Sequence, residues 1–258
     1  MSPYRRVLTT TSIDASWNQG RGAFGGLMAA LLLEAMRERV ADELRIARSL
    51  TVHFAAPAIS PITINADVVR SGNRVTHATA KVEGDDGVVA TFATASFCKP
   101  REGTHYANAA MPDVERAENL HDFPRGVAGV PTFFDHLDAR FCGDVMPFSG
   151  SDKPRVAAWV RLHESDADDV IDAPLAAFLL DTLPPAVGST FVGPRPLASV
   201  DLTVHFFDRF EERVPASEFH LVSVASRWAD DGYAEELREL WSPSGKLLAQ
   251  CRELIALL

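Results

Sequence analysis

The sequence predicts an α+β fold built from two copies of one unit, a helix followed by antiparallel strands. The pentapeptide LTVHF occurs twice, at residues 50–54 and 202–206. Each copy follows an apolar helical segment and precedes two long segments of β type, so the order of elements repeats together with the letters. Each half also ends in a strand led by a glycine, Gly87 or Gly245. We therefore expect a duplicated helix wrapped by a sheet.

The first half contains one predicted helix and a run of strands. Residues 1–20 are interpreted as a strand or a lead-in that ends in a polar turn, and the glycines at 22–26 open a helix over residues 27–44. Polar residues enter that helix only in its later turns, so its first half should be buried. Strands separated by Pro, Gly, Asn and Asp turn signals are predicted at Arg48–Phe54, Ile62–Ser71, Arg74–Gly84 and Val88–Cys98.

Residues 99–131 are rich in proline, glycine and charge, and are predicted to be a linker that lies over the surface. This divides the chain into an N-terminal unit, 1–98, and a C-terminal unit, 132–258. Strands of the second unit are predicted at Thr132–Phe141, Arg155–Leu162, Leu197–Phe207, Glu218–Trp228, Tyr233–Trp241 and Lys246–Leu257.

Composition limits the functional classes. The chain has 258 residues and a net charge of −10, which argues against broad nucleic-acid binding. Its 3 cysteines are widely spaced and its histidines show no ligand spacing, so neither a metal site nor a disulfide framework is predicted. The N-terminus has no signal-peptide core, and the longest apolar run is too short to span a bilayer. We expect a cytoplasmic protein without membrane insertion.

The helix predicted at Asp172–Leu183 carries the strongest candidate for chemistry. Asp172 can cap its first amides, Pro174 suits its first turn, and Pro184–Pro185 ends it. Asp181 lies on this otherwise apolar helix, in the last turn, where the helix dipole disfavours a negative charge. A carboxylate at such a position suggests use in catalysis. The alternative is a solvated carboxylate at a helix end.

The repeat allows the two halves to be compared with each other. Asp181 falls opposite Leu33, Ser199 falls opposite Ala47, and Glu253 falls opposite Ala95. Conversely, Gly25 and Gly26 open the first helix, where the second has Ala173 and Pro174. The second half would thus contribute side chains and the first half a helix start with free amides. The alternative is that the two copies diverged in sequence at solvent-exposed positions without any change of function, which would give the same pattern.

Several of these segments together resemble the TesB-like (type II) double-hotdog acyl-CoA thioesterases. The matching segments are FGGLMAALLLEAM, RSLTVHFAAPA, VVRSGNRVTHATAKV, GVVATFATASF, LAAFLLD, ASVDLTVHFFDR and GKLLAQCRE. The resemblance covers almost the whole chain apart from the linker. It implies two tandem hotdogs forming one continuous sheet around two central helices.

The resemblance also implies a water-holding triad of Asp, Ser or Thr, and Gln. By position, Asp181 matches the Asp and Ser199 the hydroxyl residue, whereas Glu253 occupies the Gln position. Gln250 is near in sequence but should face the other side of its strand. Asp181 would activate water as the general base and Ser199 would orient it. The amides at Gly25 and Gly26 would bind the developing oxyanion, unless these glycines serve only close packing.

The predicted function is hydrolysis of acyl-CoA to fatty acid and CoA, with coenzyme A as part of the substrate and no other cofactor. The alternative is a non-catalytic acyl-CoA or lipid-binding hotdog in which Glu253 marks a lost triad. Hydration of an enoyl thioester is less favoured, because we see no Asp/His pairing on one loop. An outer sheet edge could pair with a second chain to form a homo-oligomer.

Overall fold

The computed structural model describes residues 2–9, 12–166 and 169–258. It contains three α-helices: α1 (Pro3–Val7), α2 (Gly25–Val40) and α3 (Ala173–Leu180). Its strands are β1 (Asn18–Gln19), β2 (Gly22–Ala23), β3 (Ile46–Phe54), β4 (Ile62–Ser71), β5 (Val75–Gly84), β6 (Val89–Cys98), β7 (Leu137–Cys142), β8 (Arg155–Leu162), β9 (Leu197–Phe206), β10 (His220–Asp230), β11 (Tyr233–Trp241) and β12 (Leu247–Leu257).

Ten of these strands form one antiparallel sheet in the described part of the chain, in the order β4-β5-β6-β3-β9-β12-β11-β10-β8-β7. The repeated pentapeptides meet at its centre, where β3 pairs with β9. Thr51 lies opposite its own counterpart Thr203, and their hydroxyl oxygens are 3.2 Å apart. This register places an approximate twofold axis between the two halves, and the predicted double hotdog is confirmed.

The core lies between the sheet and the helices. Helix α2 packs on β3–β6, helix α3 packs on β11 and β12, and the two helices contact each other. The first turns of α2 are buried, as its late-placed polar residues predicted. Phe178 of α3 meets Phe24 edge to face, with ring centroids 5.3 Å apart. The sheet is therefore continuous across both halves, and so is the core.

The predicted helices are correct in place but too long. Helix α2 ends at Val40 rather than at residue 44, with Ala41 in the left-handed conformation at φ 49°. There the Asp42 carboxylate accepts a hydrogen bond from the Leu44 amide, which favours a turn over another helical turn. Helix α3 ends at Leu180, three residues before its predicted end. Its N-terminus is as expected, since Asp172 caps the Leu175 amide at 2.9 Å.

Two other segments differ from prediction. Residues 132–136 form a turn of 3-10 helix rather than a strand, because Phe133 and Phe134 are both buried, which a strand facing one layer could not achieve. The lead-in contains the short helix α1 rather than a strand. The remaining predicted strands are present with boundaries within about two residues, which is the usual uncertainty at element ends.

The segment 99–131 runs over the outer face of the second half. Its side chains Met111, Val114 and Leu120 pack against the buried Trp159 and Trp241. The indole nitrogen of Trp159 donates a hydrogen bond to the Glu115 carbonyl at 2.9 Å. The middle of the segment thus completes a second apolar cluster on this face, whereas Phe123 and Val130, nearer its end, pack against the main core. Among the described residues, no helix is both long enough and apolar enough to cross a membrane.

Candidate active site

A cavity of about 900 Å³ opens between the two halves. Asp181, Ser199 and Gly25 all line it, together with Arg238, which is not among the residues predicted from the sequence. Apolar side chains make up much of the remaining wall, including Met28, Phe54, Phe123, Phe133, Phe134, Phe141 and Phe148. The structure thus brings the predicted base, hydroxyl and helix start to one apolar chamber.

Asp181 is held at the junction of the two central helices. It follows the last residue of α3, and its side chain is 7% exposed. A Cβ atom placed on Gly25 would lie 2.8 Å from Asp181 Oδ2, so the carboxylate lies against the start of α2. The Gly26 amide lowers the pKa of Asp181 and so favours its charged form. The alternative of a solvated carboxylate is therefore wrong.

Glycine has a different role at each of the two positions. Gly25 lines the cavity beside Asp181. Gly26 does not line it, and a Cβ there would lie 2.6 Å from Phe24 Cζ and 2.7 Å from the Phe178 carbonyl oxygen. Gly26 thus permits close packing of α2 on α3, which was the alternative role predicted for these glycines, and its amide lies toward Asp181.

Ser199 and Glu253 form a hydrogen-bonded pair on neighbouring strands. The Ser199 hydroxyl donates to Glu253 Oε1 at 2.5 Å. Glu253 is 1% exposed, whereas Gln250 lies on the opposite face of β12 and donates to Glu239 at 3.1 Å. The predicted orientation of Gln250 is confirmed. Glu253 does not line the cavity itself and reaches it through Ser199.

Arg238 of β11 connects these groups. Its Nε lies 2.6 Å from Glu253 Oε2, its Nη2 lies 3.3 Å from Glu236 Oε2, and its Nη1 lies 3.9 Å from Asp181 Oδ1. Nη1 also donates to the carbonyls of Leu180 and Leu183, at 3.2 and 2.9 Å. The guanidinium therefore donates to the carbonyls at the end of α3 and also lies near the Asp181 carboxylate that follows this helix.

Burial and mutual repulsion shift the protonation of this cluster. The pKa of Asp181 is raised well above its usual value, first by burial and then by Glu253, while Arg238 and the Gly26 amide oppose the rise. Burial raises the pKa of Glu236 to about 7 in spite of Arg238. Burial alone would lower the pKa of Arg238, but Glu253, Glu236 and Asp181 together raise it. A carboxylate with a raised pKa is a stronger base near neutral pH.

Arg238 and Glu236 could have been found from the sequence. Both lie 158 positions after an alanine of the first half, Ala80 and Ala78, and Glu253 lies the same distance after Ala95. In the structure Ala78 pairs with Ala95 as Glu236 pairs with Glu253. Extending the comparison of the two halves to this strand would have identified both residues.

The ten-stranded sheet around two central helices and the apolar chamber with its carboxylate define a double-hotdog protein of the TesB-like class. Residues 13–98 match the family model of the acyl-CoA thioesterase N-terminal domain, and residues 109–257 match that of the C-terminal domain. The chain belongs to the acyl-CoA thioesterase family.

Solved structures share this fold. A hot dog protein of unknown function from Alicyclobacillus acidocaldarius superposes with a TM-score of 0.83 at 28% identity, covering 96% of this chain and 91% of that one. The tesB protein of Mycobacterium avium subs paratuberculosis gives 0.78 at 18% identity and 99% of each chain. Acyl-CoA thioesterase II TesB2 of Mycobacterium marinum gives 0.71 at 21%, covering 91% and 88%. A search of curated proteins gave no significant match.

Proposed function

We propose that this chain hydrolyses acyl-CoA thioesters to the free acid and CoA. The observation that carries the proposal is the convergence of Asp181, Ser199 and Gly25 on one apolar cavity. Family membership supplies the substrate class. The phenylalanine-lined wall suits an acyl chain, because burying such a chain stabilises the complex by roughly 0.8 kcal/mol per methylene.

Asp181 and Ser199 have distinct roles in this mechanism. A water molecule between them gives its proton to the Asp181 carboxylate as its oxygen attacks the thioester carbonyl carbon. The Ser199 hydroxyl donates a hydrogen bond to Glu253, so its oxygen lone pairs are free to accept a hydrogen bond from the water. When the C–S bond breaks, the leaving thiolate takes the proton back from Asp181. Glu253 thus acts on the water only through Ser199.

The developing oxyanion is assigned to the start of α2. The first amides of an α-helix have no partner within the helix and carry partial positive charge. Gly25 lines the cavity and presents no side chain, so a carbonyl oxygen can approach its amide closely. The Gly26 amide serves Asp181 instead. The oxyanion site is therefore proposed at Gly25, with Gly26 as a support of the base.

The charges at the cavity also fit an anionic thioester. The described residues that line it include Arg21 and Arg195, which are both exposed, besides the buried Asp181 and Arg238. The lining thus carries a positive balance in a chain whose net charge is −10. We assign the phosphate groups of CoA to Arg21 and Arg195, because guanidinium groups bind phosphate in bidentate fashion.

Thiol release across a panel of short to long acyl-CoAs tests the proposal. Asp181→Asn should lower kcat by about 10²–10⁴-fold, the range for loss of a general base, without changing the melting temperature by more than a few degrees. Asp67→Asn, on the exposed part of β4, is the matched control and should keep full activity. Undiminished turnover in Asp181→Asn would contradict the assignment.

One observation favours the second candidate, a binding protein without turnover. The family position for a glutamine amide is occupied by Glu253, whose carboxylate is bound by Arg238 and cannot donate a hydrogen bond while ionised. That candidate predicts saturable acyl-CoA binding with no thiol release from the wild-type protein at any chain length. The same panel, read by calorimetry and by thiol release, separates the two functions.

A further inference from the structure

Arg238 is a buried cation to which the hydrolytic mechanism above gives no task. It is 1% exposed and lies on the inner face of β11, under the end of α3. Two buried carboxylates, Glu253 and Glu236, flank it at 2.6 and 3.3 Å, and Asp181 lies 3.9 Å away. One guanidinium is thus the counter-ion of carboxylates on β11, on β12 and at the end of α3.

Removing this charge would leave carboxylates in the core without a counter-ion, which is among the costliest changes a protein interior can undergo. The groups that face Asp181 come from every element packed around it: Glu253 and Cys251 from β12, Glu236 and Arg238 from β11, and the Gly26 amide from α2. Among these groups, Arg238 is the one that carries a full positive charge.

The comparison of the two halves shows that the cluster belongs to the second half as a unit. Its positions on β11 and β12 correspond to alanines on β5 and β6 in the first half. Those alanines pack in the ordinary apolar core around α2. A buried ion network is not needed for the fold, since the first half forms the same sheet and helix without it.

We propose that Arg238 is the positioning residue of this active site, fixing the Glu253 carboxylate as the acceptor for Ser199 and holding Asp181 at the end of α3. This inference rests on the proposed function for its link to turnover. Its geometric content, one guanidinium that orients two carboxylates of the site, can be tested without turnover.

The two charges nearest Asp181 should act on it in opposite directions. Glu253 raises the pKa of Asp181 and Arg238 lowers it, on top of the rise caused by burial. Because a general base works in its deprotonated form, the acidic limb of the kcat–pH profile follows this group. Glu253→Gln should move the limb to lower pH, and Arg238→Gln should move it to higher pH.

The experiment compares Arg238→Gln, Arg238→Lys, Glu253→Gln and the double variant Arg238→Gln/Glu253→Gln. We expect Arg238→Gln to lower kcat by about 10²-fold, a loss that a misplacement of about 1 Å can cause. The double variant should recover part of this loss, because residue 253 is then no longer a buried carboxylate without its counter-ion. Arg238→Lys keeps the charge and should shift the limb less than Arg238→Gln.

Arg252→Gln is the matched control. Arg252 pairs with Glu235 across the same two strands but on the outer face, where it is exposed. Its loss should leave both kcat and the pH profile unchanged. A folded Arg238→Gln variant with wild-type kcat and pH profile would overturn the inference. If Arg238→Gln does not fold, shifts of Glu253→Gln and Arg238→Lys in the wrong direction would overturn it equally.

A spectroscopic readout separates this inference from the proposed function. In protein labelled with ¹³C at aspartate carboxyl groups, the infrared band of protonated Asp181 is assigned by its loss in Asp181→Asn and titrated in each variant. Shifts of its midpoint in the two opposite directions support the role of Arg238 even if no acyl-CoA is hydrolysed. An absence of thiol release from the wild type contradicts only the proposed function, whereas an unmoved midpoint overturns the inference.

Discussion

Replacement of each of the two adjacent glycines by alanine should separate catalysis from packing. In Gly25→Ala the new methyl group would lie 2.8 Å from Asp181 Oδ2 and 3.2 Å from Phe54 Cζ. The carboxylate must shift from its present position, where the Gly26 amide and Arg238 lower its pKa. We expect kcat to fall by about 10²-fold, or about 2.7 kcal/mol of barrier, for a displacement of this kind.

The stability of Gly25→Ala should change little, because alanine gains up to about 1 kcal/mol of helix propensity, which offsets the new contact. In Gly26→Ala the methyl group meets the Phe178 carbonyl oxygen at 2.7 Å, and that oxygen is backbone. It also meets Phe24, whose ring is stacked on Phe133 with centroids 3.8 Å apart. The helices must separate, at about 1–3 kcal/mol before the propensity gain.

Both variants are measured by thermal unfolding and by thiol release at saturating acyl-CoA. For a chain of this size 1 kcal/mol corresponds to about 2 °C in melting temperature, so the packing cost in Gly26→Ala should lower the melting temperature by about 2–6 °C, less up to about 2 °C returned by helix propensity. Gly25→Ala should melt near the wild type yet turn over slowly. Full activity in a folded Gly25→Ala, or wild-type stability in Gly26→Ala, would refute the geometric reasoning.

Three further predictions follow from other parts of the molecule. Arg21→Gln and Arg195→Gln should raise KM for acyl-CoA several-fold but leave KM for the matching acyl-pantetheine thioester unchanged; equal effects on both substrates would exclude a phosphate contact. Burial lowers the pKa of His220 to about 4, so the folded state resists protonation and the free energy of unfolding should fall by about 3 kcal/mol between pH 7 and pH 4. When the free energy of unfolding is measured by urea titration at each pH, His220→Gln should remove this decrease between pH 7 and pH 4. Replacement of the exposed His105 by Gln should not. Asp172→Ala should lower the free energy of unfolding by about 1 kcal/mol through loss of the α3 cap, whereas Asp172→Asn should retain most of the capping stabilisation. Equal melting temperatures of the two variants would contradict the role of Asp172 as a cap.

Much of the fold could be predicted from local patterns. Strand alternation and turn residues located β4 and β11 to the residue, and the Asp172–Pro174 start of α3 was readable because capping depends on neighbouring residues. Helix ends were less predictable. After Leu180 the Asp181 amide donates to the Phe178 carbonyl in a tighter turn. The Leu180 carbonyl has no partner in the helix, because residue 184 is a proline without an N–H, and it is bound by Arg238, 58 residues away in sequence.

The candidate site likewise has residues that could be predicted from the sequence and others whose roles could not. Asp181 was recognisable as a carboxylate on an apolar helix, and the repeat pointed to Ser199 and Glu253, because each replaces an apolar counterpart. The roles of Gly25 and Gly26 were not separable by sequence, since which glycine faces Asp181 and which faces Phe178 depends on how α2 and α3 cross.

The sequence by itself determined that the chain is a duplicated unit and that its second half carries the polar groups, because a repeat preserves the register of every strand. Comparison of the two halves can select Arg238 and Glu236, but only the tertiary structure decided that their charges lie close to Asp181. Strand parity places both on the inner face of β11, but their distance from Asp181 depends on α3 ending directly above that strand. Low-dielectric burial then couples the charges, so the protonation of Asp181 is a property of the assembled core.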